Sequence, residues 1–309
     1  MEDIKAIDIM NYPTQVKEGV DYDFNRYEEW QLLAKTTFRP FFPLGRFPTT
    51  DEELKQHKHL FGTAFYPYES VEALIQAMDE EGYDKICITA CKMWSYRRSF
   101  NLIFDFTIDQ VNEMVKKGKG RIIGVAGYNP HRITESLRDI EKAVSEYGFK
   151  FVHVHNISFG IPFNDKLLYP LYGLCSSMKI PVSMQVGHSA EPLPSWVGNP
   201  MSVDEVVMDF PDLKINLSHT GFPWIKEWID LVWKHPNVYG DISAYMPKSL
   251  DPELISFMSS SRGNTKVMWG TNAMGLRRGK QEILGMDMKE EAKRNILRNN
   301  ALRFLGLEG

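Results

Sequence analysis

Apolar residues in this chain follow two alternating patterns. Short runs rich in Val, Ile, Phe and Tyr are followed by longer stretches in which apolar positions recur every three or four residues, as in 70–82 and 133–148. The first pattern predicts buried strands and the second predicts amphipathic helices. The predicted strands are 4–10, 84–90, 121–127, 150–155, 181–186, 213–218, 237–243 and 266–270.

Eight strands alternating with helices over about 300 residues predict an α/β fold, a parallel (β/α)₈ TIM barrel. We interpret residues 1–309 as a single domain of this type. The alternation of strands and helices is interrupted after the first strand. The long segment there, residues 14–68, contains the aromatic run FRPFFPLGRFP. A connection this long predicts an insertion or lid over the barrel mouth. A subunit contact made of exposed aromatic residues explains the segment equally well.

Composition narrows the class of protein. The chain is 43% hydrophobic with a net charge of -4, and it has no dense Lys/Arg block. These values predict a folded protein that binds neither nucleic acid nor an anionic membrane. No apolar stretch is long enough to cross a bilayer, and the acidic start MEDIKAIDI does not resemble a secretory signal. The expected location is the cytoplasm.

Histidines cluster at predicted strand ends, where TIM-barrel enzymes place their reacting groups. His153 and His155 close the fourth strand on one face, His188 follows the fifth, and His219 follows the sixth. Asp241 ends the seventh strand. Because consecutive strands meet at one rim, we expect these side chains to converge on a site.

Four runs carry a resemblance to a known family. They are IPVSMQVGHSAEPLP, DFPDLKINLSHTGFPW, KHPNVYGDISAY and KVMWGTNAMG, all in the second half of the chain. Together they resemble the amidohydrolase-2 branch of the amidohydrolase superfamily, which includes aminocarboxymuconate-semialdehyde decarboxylase and related metal-dependent hydrolases, hydratases and decarboxylases. The resemblance covers most of the chain and is strongest from about residue 120 onward.

The resemblance implies a divalent metal held by two histidines of the first strand, a histidine ending the fifth and an aspartate ending the eighth. A histidine ending the sixth strand acts on water or substrate. In this chain other residues occupy the four ligand places, and His219 alone matches the pattern. The replacements are Met10, Tyr12, Gln185 and Asn272.

Thioether, phenol and amide groups are weak ligands for a divalent cation, so the sequence predicts no metal cofactor. An alternative keeps a divalent metal such as zinc but relocates it. Alternation along the fourth strand permits a new cluster, made of His153, His155, His188 and His219.

Without a metal to activate water, the substrate must already be activated. Lactones, keto acids, cyclic diketones and enolisable aromatic acids meet that need, and the resemblance implies carboxylated ring compounds or ring-cleavage products. We therefore predict a hydrolase or decarboxylase in which His219 or His188 is the general base and Asp241 orients the imidazole. The predicted substrate-binding residues are Met10, Tyr12, Trp94, Arg97, His155, Gln185 and Asn272.

A different class of function also fits the missing ligands. The barrel could have lost catalysis and be an inactive small-molecule-binding protein. In either case the expected partner is a small molecule, and the exposed aromatic residues together with the resemblance predict a homodimer or larger homo-oligomer.

Overall fold

Eight parallel strands form one sheet that nearly closes into a barrel, which confirms the predicted fold class. The structure is a computed structural model that describes residues 4–61, 67–98 and 101–308. The sheet follows chain order except for β3 and β4, which pair antiparallel as a separate hairpin. At the seam, Ile9 N–H donates to the Trp269 carbonyl over 3.1 Å. The strands are β1 (Ala6–Asp8), β2 (Tyr83–Thr89), β3 (Lys92–Trp94), β4 (Leu102–Asp105), β5 (Ile122–Gly127), β6 (Phe151–Val154), β7 (Val182–Gln185), β8 (Ile215–Ser218), β9 (Val238–Asp241) and β10 (Val267–Met268).

Helices connect the strands and cover the outside of the barrel. Ser70 and Thr107 cap two of them through side-chain bonds to backbone N–H groups. The helices are α1 (Glu28–Lys35), α2 (Asp51–Phe61), α3 (Val71–Glu81), α4 (Ile108–Lys117), α5 (Ile133–Ser145), α6 (Asn156–Phe159), α7 (Tyr169–Met178), α8 (Val203–Asp209), α9 (Ile225–Lys234), α10 (Pro252–Ser259), α11 (Leu276–Leu284), α12 (Glu290–Arg294) and α13 (Asn300–Leu305), with a π-helical turn at Asn295–Asn299.

The strands are buried on both faces, as parallel strands under helices must be. One face packs against the helices, and the other fills the barrel interior. Phe151 of β6 meets Phe304 of α13 edge to face at 5.5 Å, so α13 packs across the start of the strands. This apolar packing closes the end of the barrel where the strands begin.

The segment after β1 packs on the β3–β4 hairpin through aromatic side chains. Trp30 lies 5.1 Å from Phe104, and Phe47 stacks on Phe24 at 4.5 Å. Phe42, Trp30 and Phe47 are buried, so these rings face the protein. Residues 62–66 of the predicted 14–68 insertion lie outside the described residues, and the division into one domain stays a prediction.

Some predicted strands are shorter in the structure. The predicted strands 237–243 and 266–270 correspond to Val238–Asp241 and Val267–Met268. Each strand is followed by a residue whose backbone N–H binds a buried carboxylate. Ser243 N–H donates to Asp241 over 2.9 Å, and Thr271 N–H donates to Asp8 over the same distance.

None of the helices within 4–61, 67–98 and 101–308 has the length and apolar character needed to cross a membrane.

Candidate active site

The inward face of the barrel changes from apolar to polar toward the ends of the strands. His153, Ser183 and Asn216 lie side by side on β6, β7 and β8, and all three are buried, as is Asp241 at the end of β9. The Asn216 amide donates to Ser183 over 3.0 Å and to Asp241 over 2.6 Å. This layer supports the side chains above it, because it fixes the Asp241 carboxylate from below.

Asp241 organises His219 through Ser243. Its carboxylate accepts hydrogen bonds from Asn216, from the backbone N–H of His219 over 3.0 Å, and from both the N–H and the hydroxyl of Ser243. The Ser243 hydroxyl proton is therefore directed at Asp241, so Ser243 Oγ accepts from His219 Nδ1, which lies 2.7 Å away. His219 thus carries its proton on Nδ1, and Nε2 keeps the lone pair that a general base needs. Burial lowers the pKa of His219, while Asp241 opposes that shift.

The backbone at this rim is held in an unusual conformation. His219, Ala244, Asn272 and Ala273 have positive φ angles of 74°, 67°, 50° and 66°. Non-glycine residues rarely adopt this conformation unless their surroundings impose it, and such residues concentrate at functional sites. Here Asp241 binds the His219 N–H, and the Met10 carbonyl accepts from Asn272 N–H over 3.0 Å.

His155 has the opposite proton arrangement. Its Nδ1 accepts from the backbone N–H of Ser158 at the start of α6 over 3.3 Å, which places the ring proton on Nε2. Burial, with a smaller contribution from nearby His219, lowers the pKa of His155 to about 3. His155 is therefore a neutral hydrogen-bond donor at physiological pH.

His155 and His219 both line a cavity of about 210 Å³ at the barrel mouth. An engineered cavity of about 150 Å³ holds benzene, so this volume suits one substituted ring. Among the described residues that line it there is no Lys or Arg, and Glu191 is the one carboxyl group. The lining consists of Tyr12, Thr14, Phe24, Trp30, Leu33, Thr37, Phe38, Phe47, Met93, Phe104, His155, Gln185, His188, Ala190, Glu191, His219, Ala244, Tyr245, Asn272 and Ala273.

The structure brings most predicted site residues to this cavity. His188 is half-buried, with its ring 5.2 Å from that of Phe222, and burial lowers its pKa. Gln185 Oε1 and Asn272 Oδ1 are buried without a hydrogen-bond partner among the described residues. Asp241 lies behind His219. The predicted residues that line the cavity are Tyr12, His155, Gln185, His188, His219 and Asn272.

Three predicted substrate-binding residues lie elsewhere. Met10 is 2% exposed and packs in the apolar interior with Met268. Trp94 packs on His131 at 4.9 Å in a separate surface depression. Arg97 is exposed and lies 3.3 Å from Glu28. The prediction for Trp94 and Arg97 missed the β3–β4 hairpin. Met93 of β3 lines the cavity, whereas its neighbour Trp94 lies on the opposite face of the strand and Arg97 lies in the exposed turn that follows.

Sequence reasoning missed several groups at the cavity. The aromatic wall comes from Phe24, Trp30 and Phe47, which no local pattern ties to the strand ends. Glu191 lies on the loop after β7. Ser243 could have been found, because it lies two residues after Asp241 and so leaves β9 on the same face.

The residues at the cavity do not fit the metal that the resemblance implies. Tyr12 stays protonated, because burial raises its pKa well above the usual value. Gln185 and Asn272 offer uncharged amides, and Met10 is outside the cavity. Throughout the described ranges no three His, Cys, Asp or Glu side chains form a group that could hold a metal ion. Of the four histidines in the alternative cluster, His155, His188 and His219 line the cavity, whereas His153 bonds Ser183 within the barrel.

Solved structures share this fold. An uncharacterized TIM-barrel protein from Bordetella bronchiseptica is 22% identical, with a TM-score of 0.70 over 98% of this chain and 99% of the other. A 5-carboxyvanillate decarboxylase from Novosphingobium aromaticivorans, complexed with manganese and 4-hydroxy-3-methoxy-5-nitrobenzoic acid, is 15% identical, with a TM-score of 0.62 over 99% of each chain. At these identities the likeness shows the fold alone.

Sequence comparison identifies the family. A 2-amino-3-carboxymuconate-6-semialdehyde decarboxylase from Dictyostelium discoideum is 26% identical over 65% of this chain, and the match spans 65% of that relative's length. The amidohydrolase family model Amidohydro_2 matches residues 93–307, which is more than half of the chain. The protein therefore belongs to the amidohydrolase family.

Proposed function

We propose that this protein is a carbon–carbon lyase of the decarboxylase type, which removes CO₂ from an activated ring compound without a resident metal ion. The observation that carries the proposal is the complementary pair of imidazoles at one cavity. His219 offers a lone pair on Nε2, and His155 offers a proton on Nε2. A ring with an acidic hydroxyl, such as an ortho-hydroxybenzoate or an enolised cyclic keto acid, matches both groups.

In the proposed reaction His219 removes the proton from the ring hydroxyl. The resulting oxyanion is stabilised by the His155 Nε2–H and by the Tyr12 hydroxyl, which lines the same cavity. Ser243 and Asp241 hold the protonated imidazole in place. The negative charge then spreads into the ring carbon that carries the carboxylate.

The cavity favours conversion of the substrate's charged carboxylate into neutral CO₂. Its wall is aromatic, and no Lys or Arg is present among the described lining residues. A carboxylate that enters this space gives up hydration without gaining a counter-ion, whereas CO₂ is neutral. This environment supports decarboxylation rather than the predicted alternative of hydrolysis, and the decarboxylase relative supports the same choice.

Metal-free turnover is the direct test. Protein treated with EDTA, with its metal content measured, is assayed for CO₂ release from ortho-hydroxybenzoates and cyclic β-keto acids. We expect turnover that chelation leaves unchanged and that His219→Gln abolishes, while His131→Gln, at an exposed histidine, retains it. Activity lost with EDTA and restored by manganese would overturn the metal-free proposal, and ligand binding without turnover would favour an inactive binding protein.

We also propose, from the sequence, that the protein acts in the cytoplasm as a homodimer or larger homo-oligomer. Light scattering on the purified chain tests the second point, because a monomeric mass at micromolar concentration would contradict it.

A further inference from the structure

The cavity contains a carboxyl group that the proposed proton transfers do not use. Glu191 lies on the loop after β7 and lines the cavity together with His155 and His219. The Ser189 hydroxyl donates to Glu191 Oε2. No ion pair to Glu191 is found among the described residues, and no lining residue there carries a positive side chain.

The loop that carries Glu191 is held at several points. Gly187 N–H donates to the Gly198 carbonyl over 2.8 Å, and Leu193 N–H donates to the Glu191 carbonyl over 2.7 Å. Leu193 is buried in the aromatic cluster behind the cavity wall. The carboxyl group is therefore presented on a fixed backbone, which is the arrangement that a proton-transfer group requires.

The surroundings of Glu191 favour the acid form. Burial raises the pKa of Glu191, and the Ser189 hydroxyl only partly opposes the shift. Glu191 and Tyr12 line the same cavity. An uncharged carboxyl group in an aromatic cavity can act as a proton donor.

Decarboxylation requires such a donor at carbon. When CO₂ leaves, the ring carbon must receive a proton, and two of the three imidazoles that line the cavity are already engaged. Burial lowers the pKa of the third, His188, which favours its neutral form. His219 holds the proton taken from the ring hydroxyl, and His155 has a pKa of about 3 and carries no spare proton. Of the described lining residues only Glu191 carries a carboxyl group, and its raised pKa favours the acid form. We propose that Glu191 is the acid that protonates the ring carbon from which CO₂ departs, an inference that rests on the proposed function.

The proposed sequence of steps balances. His219 takes the hydroxyl proton, and the ring carbon beside it forms a C–H bond with the proton of Glu191. The C–C bond to the carboxylate then breaks, its electron pair returns to the ring, and CO₂ leaves. His219 returns its proton to the ring oxygen, and solvent reprotonates Glu191. The net reaction converts the ring carboxylate and one proton into CO₂ and a ring that carries hydrogen in place of the carboxylate.

The same proton transfer can be followed in reverse with the decarboxylated ring alone. In D₂O the enzyme should exchange the C–H beside the hydroxyl for C–D, which proton NMR detects. The probes are the ortho-hydroxybenzoate panel, including 2,6-dihydroxybenzoate, for CO₂ release and the corresponding phenols, including resorcinol, for exchange. Binding is measured separately by calorimetry.

We expect Glu191→Gln to reduce both exchange and CO₂ release at least 100-fold while probe binding changes less than 3-fold. Glu191→Asp should recover part of the lost rate, and Glu146→Gln, the same change at an exposed residue, should behave as wild type. Because Gln can still accept from Ser189, the variant should keep the fold, and circular dichroism checks this.

The outcomes separate the two proposals. Wild-type CO₂ release with full activity in Glu191→Gln overturns the role of Glu191 and leaves the proposed function standing. Exchange that depends on Glu191 without any CO₂ release supports the proton donor and overturns the decarboxylase. Absence of both reactions from the wild-type protein overturns both proposals.

Discussion

The imidazole of His219 is tied to the hydroxyl of Ser243, with 2.7 Å between Nδ1 and Oγ. Ser243 in turn donates to Asp241, so a buried carboxylate sets the tautomer of a histidine that it does not contact through its ring. The result is an imidazole with its lone pair on Nε2, in a residue that lines the cavity.

Ser243→Ala should remove the partner of His219 Nδ1. Without it the imidazole loses its fixed tautomer, and we expect kcat to fall roughly 10- to 100-fold, a part of the 10²–10⁴ that a general base typically contributes. KM should change little, because Ser243 does not line the cavity. Steady-state kinetics on the decarboxylation substrate measure this, and Ser243→Thr, which keeps the hydroxyl, is the control. An unchanged kcat in Ser243→Ala would show that the hydroxyl does not position His219.

His155 should make the protein less stable in acid. Its pKa is about 3 in the folded state against an ordinary value of 6.5, so between these pH values the unfolded chain binds more protons. The free energy of unfolding therefore falls as pH drops below 6.5, and this residue alone should account for about 2 kcal/mol of loss at pH 5 relative to pH 8. Urea unfolding of wild type and His155→Gln at both pH values measures the difference.

Between pH 8 and pH 5, the free energy of unfolding should fall by about 2 kcal/mol more in wild type than in His155→Gln. His131→Gln, at an exposed histidine, should lose as much as wild type. Equal losses in all three proteins would mean that His155 is protonated in the folded state.

A metal site should return when ligands are restored at the cavity. Tyr12→His, Gln185→His and Asn272→Asp together place two imidazoles and a carboxylate beside His219, all at lining positions. These are ligand types that zinc and manganese accept. The structure favours Gln185 over Met10 for this design, because Met10 is buried outside the cavity.

Metal analysis after dialysis against zinc or manganese should find about one ion per chain in the triple variant, as expected for a complete site, and none in wild type. Gln185→His alone is the matched control, since one added imidazole leaves the site incomplete. A triple variant that folds but takes up no metal would contradict the placement of these residues around one point.

Phe47→Ala should weaken both the aromatic wall and substrate binding. Phe47 is buried, stacks on Phe24 at 4.5 Å and meets Phe42 in a tilted arrangement at 4.4 Å. Loss of the ring should lower the free energy of unfolding by about 3–5 kcal/mol, as for other buried aromatic residues, and raise KM. Urea unfolding and kinetics test both effects. Leu44→Ala, at a side chain that is 66% exposed, should change neither. A stable Phe47→Ala variant would indicate that the wall is not packed as described.

The strand positions were predictable because they are local. Val182–Gln185 and Ile215–Ser218 alternate apolar and polar residues, which is the period of a strand, and every residue in them is buried. Parallel strands in turn bring their carboxyl ends to one rim, and His155, His188 and His219 line one cavity there, whereas His153 and Asp241, expected with them, do not line it. The β3–β4 hairpin was missed because its strands pair only with each other, outside the repeating order of barrel strands and helices.

The sequence by itself determined the barrel, the family, and the replacement of the family's ligand residues by Met10, Tyr12, Gln185 and Asn272. These features depend on residue identity and on the order of short periodic runs. Only the tertiary structure decided which nitrogen of His219 and of His155 carries the proton, because that depends on Ser243 and Ser158. It also decided that aromatic residues from 24–47 and the carboxyl of Glu191 complete the cavity, since contacts between distant segments follow from packing in three dimensions and leave no periodic signal in the chain.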